Sequence, residues 1–576
     1  SLNLSVGSQA WVDVVAPNAN SLTVLRAIGQ DPSFIYGRIT ANDRLFLVNQ
    51  NGIYVGKDAR ISASSLVMSA LDIDPDYVAN DYAKLFADSH LVFTMNPDAC
   101  GYGGPCDSSV IEIDAGAKLV AADGGGVMLI GNQGVRNGGE VTTGSGGDIT
   151  LVATAQAGVD IGDSGFIKLT SAKDASVPDV SRDFTGRTVL NTGTLDAPNG
   201  AVTLKTTGYG YGQNVFGDPT GLTTRISEGT LSGVFNTGTI KAQGMDGGQG
   251  KVLMVAEGTG AVAVNSGKID VSAKDARSLA GSISMSAESV LIGNRDGVAE
   301  LLADGPNGGG LITINNATVT GGESNSLIHV LSGSVLSADA TDNGNGGNIK
   351  LSTVDGLSND QLEKGSNFGE LRAYGTLRAR GGVNGGNGGV VETSGSYVNV
   401  NDADWGRATI QVNARAAGGA GGVWSLYSPD ITIGNRIPSA NSQVGQWDTY
   451  VNADDINTVL NSGGNVGIGT NYQDNAKVRS GDLTIERGTQ FLQSLGGGSN
   501  ALYLQSGRDL IVQSGTTISS TSGKLNVRLA ADADEDGQGS LLLYGQIGMN
   551  SGPLAAGRVR AQVQEGDEPI TINTNG

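Results

Sequence analysis

The residues that could carry chemistry in this sequence are few. The sharpest local pattern is Asp532-Ala-Asp534-Glu-Asp536-Gly537, alternating carboxylates before a glycine, as at the start of a calcium loop. The twelfth position of an EF-hand would be Leu543 rather than Glu, so two readings stand: a one-loop calcium site or an acidic, solvated turn. Cys100 and Cys106 are the two cysteines, separated by glycine and proline turns that would let the sulfurs meet. A bridge closing so short a loop is worth about 2–3 kcal/mol on the loop-entropy model and implies an oxidising, extracytoplasmic setting. The alternatives are a free pair or half of a metal site, and the latter has no nearby His or further Cys. With only His90 and His329, histidine-based triads and most zinc sites lose their usual groups. The carboxylate pairs Asp454/Asp455 and Asp402/Asp404 are what a polysaccharide lyase or hydrolase would need, but no basic residue accompanies them at a regular interval. They read as solvated turn charges. Asn343-Gly-Asn-Gly-Gly-Asn and Asn384-Gly-Gly-Asn-Gly-Gly adjoin strands with no helix after them, and so read as turns rather than phosphate cradles.

The elements that would position such groups follow from composition. Of 576 residues 91 are Gly, more than double the usual ~7%, yet glycine does not recur every third position and Pro numbers only 13, which excludes collagen. An apolar content of 38% still permits a core. No apolar run reaches the ~18 residues of a membrane span. The net charge is −21, with Lys and Arg scattered singly; nucleic acid and anionic membranes reward a basic face and are therefore poor partners. The opening Ser-Leu-Asn-Leu-Ser-Val-Gly has no basic or long apolar leader, as expected if a signal peptide has been removed or the chain starts inside a longer precursor. Most enzyme classes are disfavoured, and none is assigned.

A loose repeat runs through the middle of the chain. Asn191-Thr-Gly-Thr-Leu-Asp-Ala leads to Gly200-Ala-Val-Thr-Leu, Asn236-Thr-Gly-Thr-Ile-Lys-Ala to Gly250-Lys-Val-Leu-Met, and Asn265-Ser-Gly-Lys-Ile-Asp-Val to Gly281-Ser-Ile-Ser-Met. Each unit is two short strands of period two, divided by Gly, Asn and Asp turns. Strands this short cannot bury their own apolar face, whereas stacked coils can, and this predicts a β-solenoid. Separate antiparallel sandwiches are the competing architecture. Two features favour the solenoid. Small residues recur at positions read as inward, as in Ser282-Ile-Ser-Met-Ser-Ala, and the recurring Asn-[Ser/Thr]-Gly would let stacked amides form a ladder. One segment reads as helix, Asp74 to Ala87, with Asp74 as N-cap and Pro75 at the first helical position, forming a side excursion over a coil. Trp11, Trp405, Trp424 and Trp447, with Tyr209 and Tyr211, read as coil caps and stack fillers, or as sugar-stacking rings where exposed.

The first 150 residues resemble the secretion domain of two-partner-secretion exoproteins, the filamentous haemagglutinin and high-molecular-weight adhesin family. The resemblance is carried by Ala16-Pro-Asn-Ala-Asn-Ser-Leu-Thr-Val-Leu-Arg-Ala-Ile-Gly, by residues 31–53, by Ser69-Ala-Leu-Asp-Ile and by residues 124–139. The family hallmark Asn-Pro-Asn-Gly-Ile stands here as Asn49-Gln50-Asn51-Gly52-Ile53, without the proline. A second match covers Gly388-Gly-Val-Val-Glu-Thr-Ser-Gly, Trp424 to Ile433 and Asp454 to Val466. The resemblance implies an all-β, right-handed parallel β-helix with small extra-helical excursions. It implies a secretion domain over 1–175 whose N-terminal edge is missing, repeat coils over 176–435 and a continuing solenoid over 436–576. It further implies Sec export followed by passage through a TpsB-type outer-membrane barrel with POTRA domains, and a secreted or surface location in a Gram-negative bacterium. Asn49 and Asn51 would serve either a coil-corner turn or direct contact with the barrel. The function implied is an adhesin for a host glycan or biofilm exopolysaccharide, without membrane insertion. The alternatives are a polysaccharide-degrading β-helix enzyme, or the N-terminal part of a cytolysin, haem-acquisition protein or contact-dependent toxin.

Overall fold

Period-two strands with apolar residues on one side become stable when each coil lays its strands on those of the coil before. The computed structural model of the chain shows this arrangement. It describes residues 4–74, 90–95, 109–162, 167–173, 187–208, 233–258, 260–293, 298–316, 326–353, 369–402, 408–435, 449–470, 481–495, 499–533, 538–547, 559–563 and 571–572. These fall into two compact units, one through Ser289 and one from Val290.

In the first unit the chain visits three parallel ladders in turn. One contains Trp11–Val14, Arg38–Ala41, Arg60–Ala63, Lys118–Ala121, Glu140–Thr143, Thr194–Asp196, Thr239–Lys241 and Lys268–Asp270. A second runs through Leu22–Arg26, Arg44–Val48, Ser65–Ser69, Val127–Gly131, Ile149–Ala153, Ala201–Thr207, Lys251–Glu257 and Ser282–Ala287. The third runs from Ser33–Ile35 and Ile53–Val55 to Gly233–Asn236 and Val262–Asn265. Register keeps like on like: Leu47 pairs with Met68, Met68 with Leu129, Leu129 with Leu151, Leu151 with Leu204, Leu204 with Met254 and Met254 with Met285. All of these are buried, so each coil's core is a continuation of the last. The fold is a parallel β-helix.

The second ladder changes character along its length. Arg44–Val48, Ser65–Ser69, Val127–Gly131 and Ile149–Ala153 are buried at every residue, whereas Ala201–Thr207 largely alternates. The cause is a second layer: Asp72–Ile73, His90–Thr94, Gln156–Ile161 and Ile167–Lys173 form an antiparallel sheet. Its Leu91, Phe93, Ala157 and Val159 pack on the outward Phe46, Val67 and Met128. Strands covered on both faces lose the period-two pattern and read as continuous apolar runs.

Asn137, Asn191, Asn236 and Asn265 stack in the third ladder. Each Nδ2 donates to the next Oδ1, at 2.8, 2.7 and 2.7 Å, and all four residues are buried. The amide ladder expected from Asn-[Ser/Thr]-Gly is present and begins one rung earlier, at Asn137. The glycine of each copy is explained by the same stacking, since a Cβ on Gly193 would lie 2.1 Å from the Gly139 carbonyl oxygen. The inward reading of Ser282, Ser284 and Ser286 is corrected: Ile283, Met285 and Ala287 are buried and the serines lie on the other side of the strand.

The second unit repeats the three ladders, with Trp424 fully buried and its indole N–H donating to Thr393 Oγ1 at 3.1 Å. Where a coil would place its next strand after Thr449–Asn452, the chain forms the helix Ala453–Ser462. The sequence reading placed no helix here. Asn452 caps it through Asp454 N–H, Asp454 and Asp455 occupy its first turn, and Ile456, Val459 and Leu460 face the core. Gly463 at φ 96° ends it, with Gly463 N–H to Leu460 O and Gly464 N–H to Val459 O, a Schellman closure. The helix substitutes side chains for a strand edge: Asn457 and Asn461, one turn apart, exchange hydrogen bonds with the backbone of Gln490, Leu492, Ser494 and Leu495 at 2.7–3.2 Å. No helix among the described residues is long and apolar enough to cross a membrane. The helix read over Asp74 to Ala87 lies, after Asp74, outside the described residues.

Candidate recognition surface of the N-terminal coils

The segment Asn49 to Ile53 turns the chain from the strand Arg44–Val48 into the strand Ile53–Val55. Asn49 is fully buried, and its Nδ2 donates to Asp31 O at 3.0 Å and Ser33 Oγ at 2.9 Å. Its Oδ1 accepts from Asn51 N–H at 3.0 Å, and Asn51 Nδ2 reaches Gly29 O at 2.7 Å. Gly52 N–H closes the turn on Asn49 O with φ at 103°, a conformation that L side chains rarely adopt. Gln50 contributes its backbone carbonyl to Ser109 Oγ at 3.0 Å. Ile53 is buried between Ser33 and Ile111 in the third ladder. The two asparagine amides thus tie residues 29–33 to 49–53, and the Asn49 backbone N–H, donating to Ser69 O, adds a third stretch of chain at the same corner.

Outside that corner the first rungs of the third ladder carry three aromatic rings. Phe34 and Tyr36 are parallel within 6°, with centroids 6.2 Å apart, and Tyr54 stands tilted against both at 6.1 and 6.0 Å. Phe34 is 40% and Tyr36 42% exposed. Tyr54 hydroxyl donates to Asp114, and that hydrogen bond, with burial, pushes its pKa up to about 12. The sequence reading passed over these rings in favour of tryptophans. The available signal was period-two aromatics in Ser33-Phe-Ile-Tyr and Ile53-Tyr-Val. Trp11 is exposed and Trp424 is core, while Trp405, Trp447, Tyr209 and Tyr211 lie outside the described residues.

The remaining chemical candidates do not converge on these rings. Cys100 and Cys106 lie outside the described residues, as do Asp534 and Asp536 of the acidic loop. Asp532 is buried at the end of the strand Lys524–Ala531 with φ 51°. The described residues contain no group of three or more His, Cys, Asp or Glu able to hold a metal. Asp455 is not a solvated turn charge: it is half-buried beneath Asn401, whose Nδ2 donates to it, and its partial removal from water raises its pKa to about 6. His329 is a core residue set edge-on to Tyr374, and burial, with Arg372 nearby, lowers its pKa to about 3. His90 pairs with Asp160 on the exposed side of the antiparallel sheet.

Fold and corner together define a parallel β-helix whose N-terminal coils are tied by a buried asparagine turn and carry an antiparallel cover. Residues 3–244 match the TPS secretion domain, the secretion domain of two-partner-secretion exoproteins, which are secreted proteins of Gram-negative bacteria. The crystal structure of the HMW1 secretion domain from Haemophilus influenzae is similar in fold, with a TM-score of 0.50 and 19% identity over 74% of this chain and 91% of that one. A heme/hemopexin-binding protein of Haemophilus influenzae is 31% identical over 72 residues, which span 12% of this chain and 8% of that protein.

Proposed function

We propose that the chain is exported across the outer membrane by a TpsB-type barrel with POTRA domains and acts outside the cell as an adhesin for a host glycan or biofilm exopolysaccharide. Coil-by-coil register supports the export step, because a chain emerging extended can add each coil to the one before without a long-range search. The Asn49–Ile53 corner is the element we assign to this step: it joins the first coils, so the stack on which later coils assemble depends on it. Asn49→Ala is expected to lower the amount of protein in the culture supernatant; unchanged levels would refute the assignment.

The observation that carries the glycan reading is the pair of exposed rings Phe34 and Tyr36 with the half-buried Tyr54 against them, held on a ladder where sugar faces can stack. Many shallow contacts of this kind add through multivalency. On a glycan array the wild type is expected to bind saturably and Tyr36→Ala to bind less, with no new reducing ends released. Released reducing ends would favour the polysaccharide-degrading alternative.

A further inference from the structure

The outward face of the first unit's first ladder holds a row of like charges in adjacent rungs. Arg38 pairs with Arg60 and Arg60 with Lys118 in adjacent rungs, so three cations project in register from a chain of net charge −21. Like charges directly opposite one another destabilise a ladder. No carboxylate lies within ion-pair distance of Arg38 or Arg60 among the described residues, and all three side chains are exposed. The Arg60 guanidinium donates to the carbonyls of Ala59 and Gly116, while Lys118 pairs with the next rung's Glu140 at 2.7 Å. The row is headed by Trp11, which pairs with Arg38 and lies 5.3 Å from its guanidinium. Trp11 is 66% exposed yet fixed, because its indole N–H donates to Thr40 Oγ1 at 3.1 Å and Thr40 donates to Asp13 at 2.7 Å.

We propose that Trp11, Arg38, Arg60 and Lys118 form a binding site for an acidic polysaccharide, one bearing a carboxylate or sulfate on successive sugars; this rests on the glycan-binding reading above. The ladder spaces its cations at about 4.8 Å, close to the length of one pyranose unit, so a single extended glycan laid across the rungs meets one cation per sugar. Guanidinium groups recognise carboxylate and sulfate through paired N–H donors. Trp11 supplies a flat apolar face for a ring at one end. The aromatic group is near: Tyr36 lies two residues before Arg38 on the same coil. Duplex nucleic acid needs a broader basic surface than one row of three cations.

The test is equilibrium binding of the purified chain to polygalacturonate, with dextran as the neutral polymer and poly-glutamate as the acidic polypeptide. Saturable binding of polygalacturonate that weakens with salt and falls at least ten-fold in the double variant Arg38→Gln/Arg60→Gln is expected, with dextran and poly-glutamate bound far more weakly. Lys118→Gln, which loses only an exposed ion pair, should weaken binding in the same direction without changing the melting temperature. Unchanged affinity in these variants would overturn the proposal. So would equal affinity for poly-glutamate, which would make the row a protein-binding face. If polygalacturonate is not bound while neutral glycans on an array are, the acidic site is wrong and the adhesin reading stands. If no glycan is bound at all, that reading fails and this proposal with it.

Discussion

Two stretches of the helix solve the same problem in opposite ways. Along Asn137, Asn191, Asn236 and Asn265, one residue type repeated in one place satisfies itself from rung to rung, and the Asn-x-Gly spacing sets both the amide stack and the close backbone approach. Around the helix Ala453–Ser462 the ladder is interrupted, and the strand on one side is met by Asn457 and Asn461 instead of a backbone edge. Continuation needs only repetition, whereas interruption needs side chains chosen for that one place. The amide stack is sealed from water and depends on every member. The helix contacts are partly exposed, so water can stand in for a lost amide.

The largest effect should come from the middle of the stack. Asn236→Ala leaves Asn191 Nδ2 and Asn265 Oδ1 buried without their partners, and each orphaned group costs about 1–3 kcal/mol. Urea unfolding should fall to a lower midpoint. Hydrogen exchange should accelerate around residues 188–193 and 262–267, and uniform exchange would break the contrast.

Next in size is a pH effect at the helix. The Asp455 pKa is raised from 3.8 to about 6, so its contribution to stability is present below about pH 4 and is lost as pH rises through 6. Above that the half-buried carboxylate is charged at a cost of at most roughly 2–3 kcal/mol. Asp455→Asn should therefore raise the melting temperature at pH 7 and leave it little changed at pH 4. His329 acts in the opposite sense. Its pKa is lowered from 6.5 to about 3, so its full contribution holds above 6.5 and declines as pH falls toward 3. His329→Phe should accordingly flatten the loss of stability below pH 6.5.

The smallest effect belongs to the helix amides. Asn461→Ala should cost about 1 kcal/mol, and hydrogen exchange should rise only near Gln490–Gln493 and its continuation to Leu495. A loss as large as that of Asn236→Ala would show that the helix, too, depends on each of its members.

The stack was legible in the sequence because repetition makes its phase visible: Asn191, Asn236 and Asn265 each precede a glycine at the same place in the coil. The helix was not, although its signals were there. Asn452, Asp454, Asp455, the spacing of Ile456, Val459 and Leu460, and Gly463-Gly464 spell cap, first turn, apolar face and stop, yet the two aspartates were read as turn charges. The serines of 282–287 were misplaced because composition does not fix which side of a strand faces inward; register with Met254 does. The antiparallel cover over Phe46 and Met128 was hidden because pairing between His90–Thr94 and Gln156–Ile161 joins segments far apart in sequence. The corner at Asn49 stood out through its resemblance to a family motif. The rings and cations around it did not, since exposure and register appear only once coils are stacked.

The central claim is that these coils serve export through a dedicated barrel. The direct measurement is the amount of this chain in the culture supernatant of cells carrying the TpsB-type transporter from the same genome, against isogenic cells lacking it. The account predicts abundant folded, protease-resistant protein outside the first cells and retention in the periplasm of the second. Equal amounts outside both would contradict it.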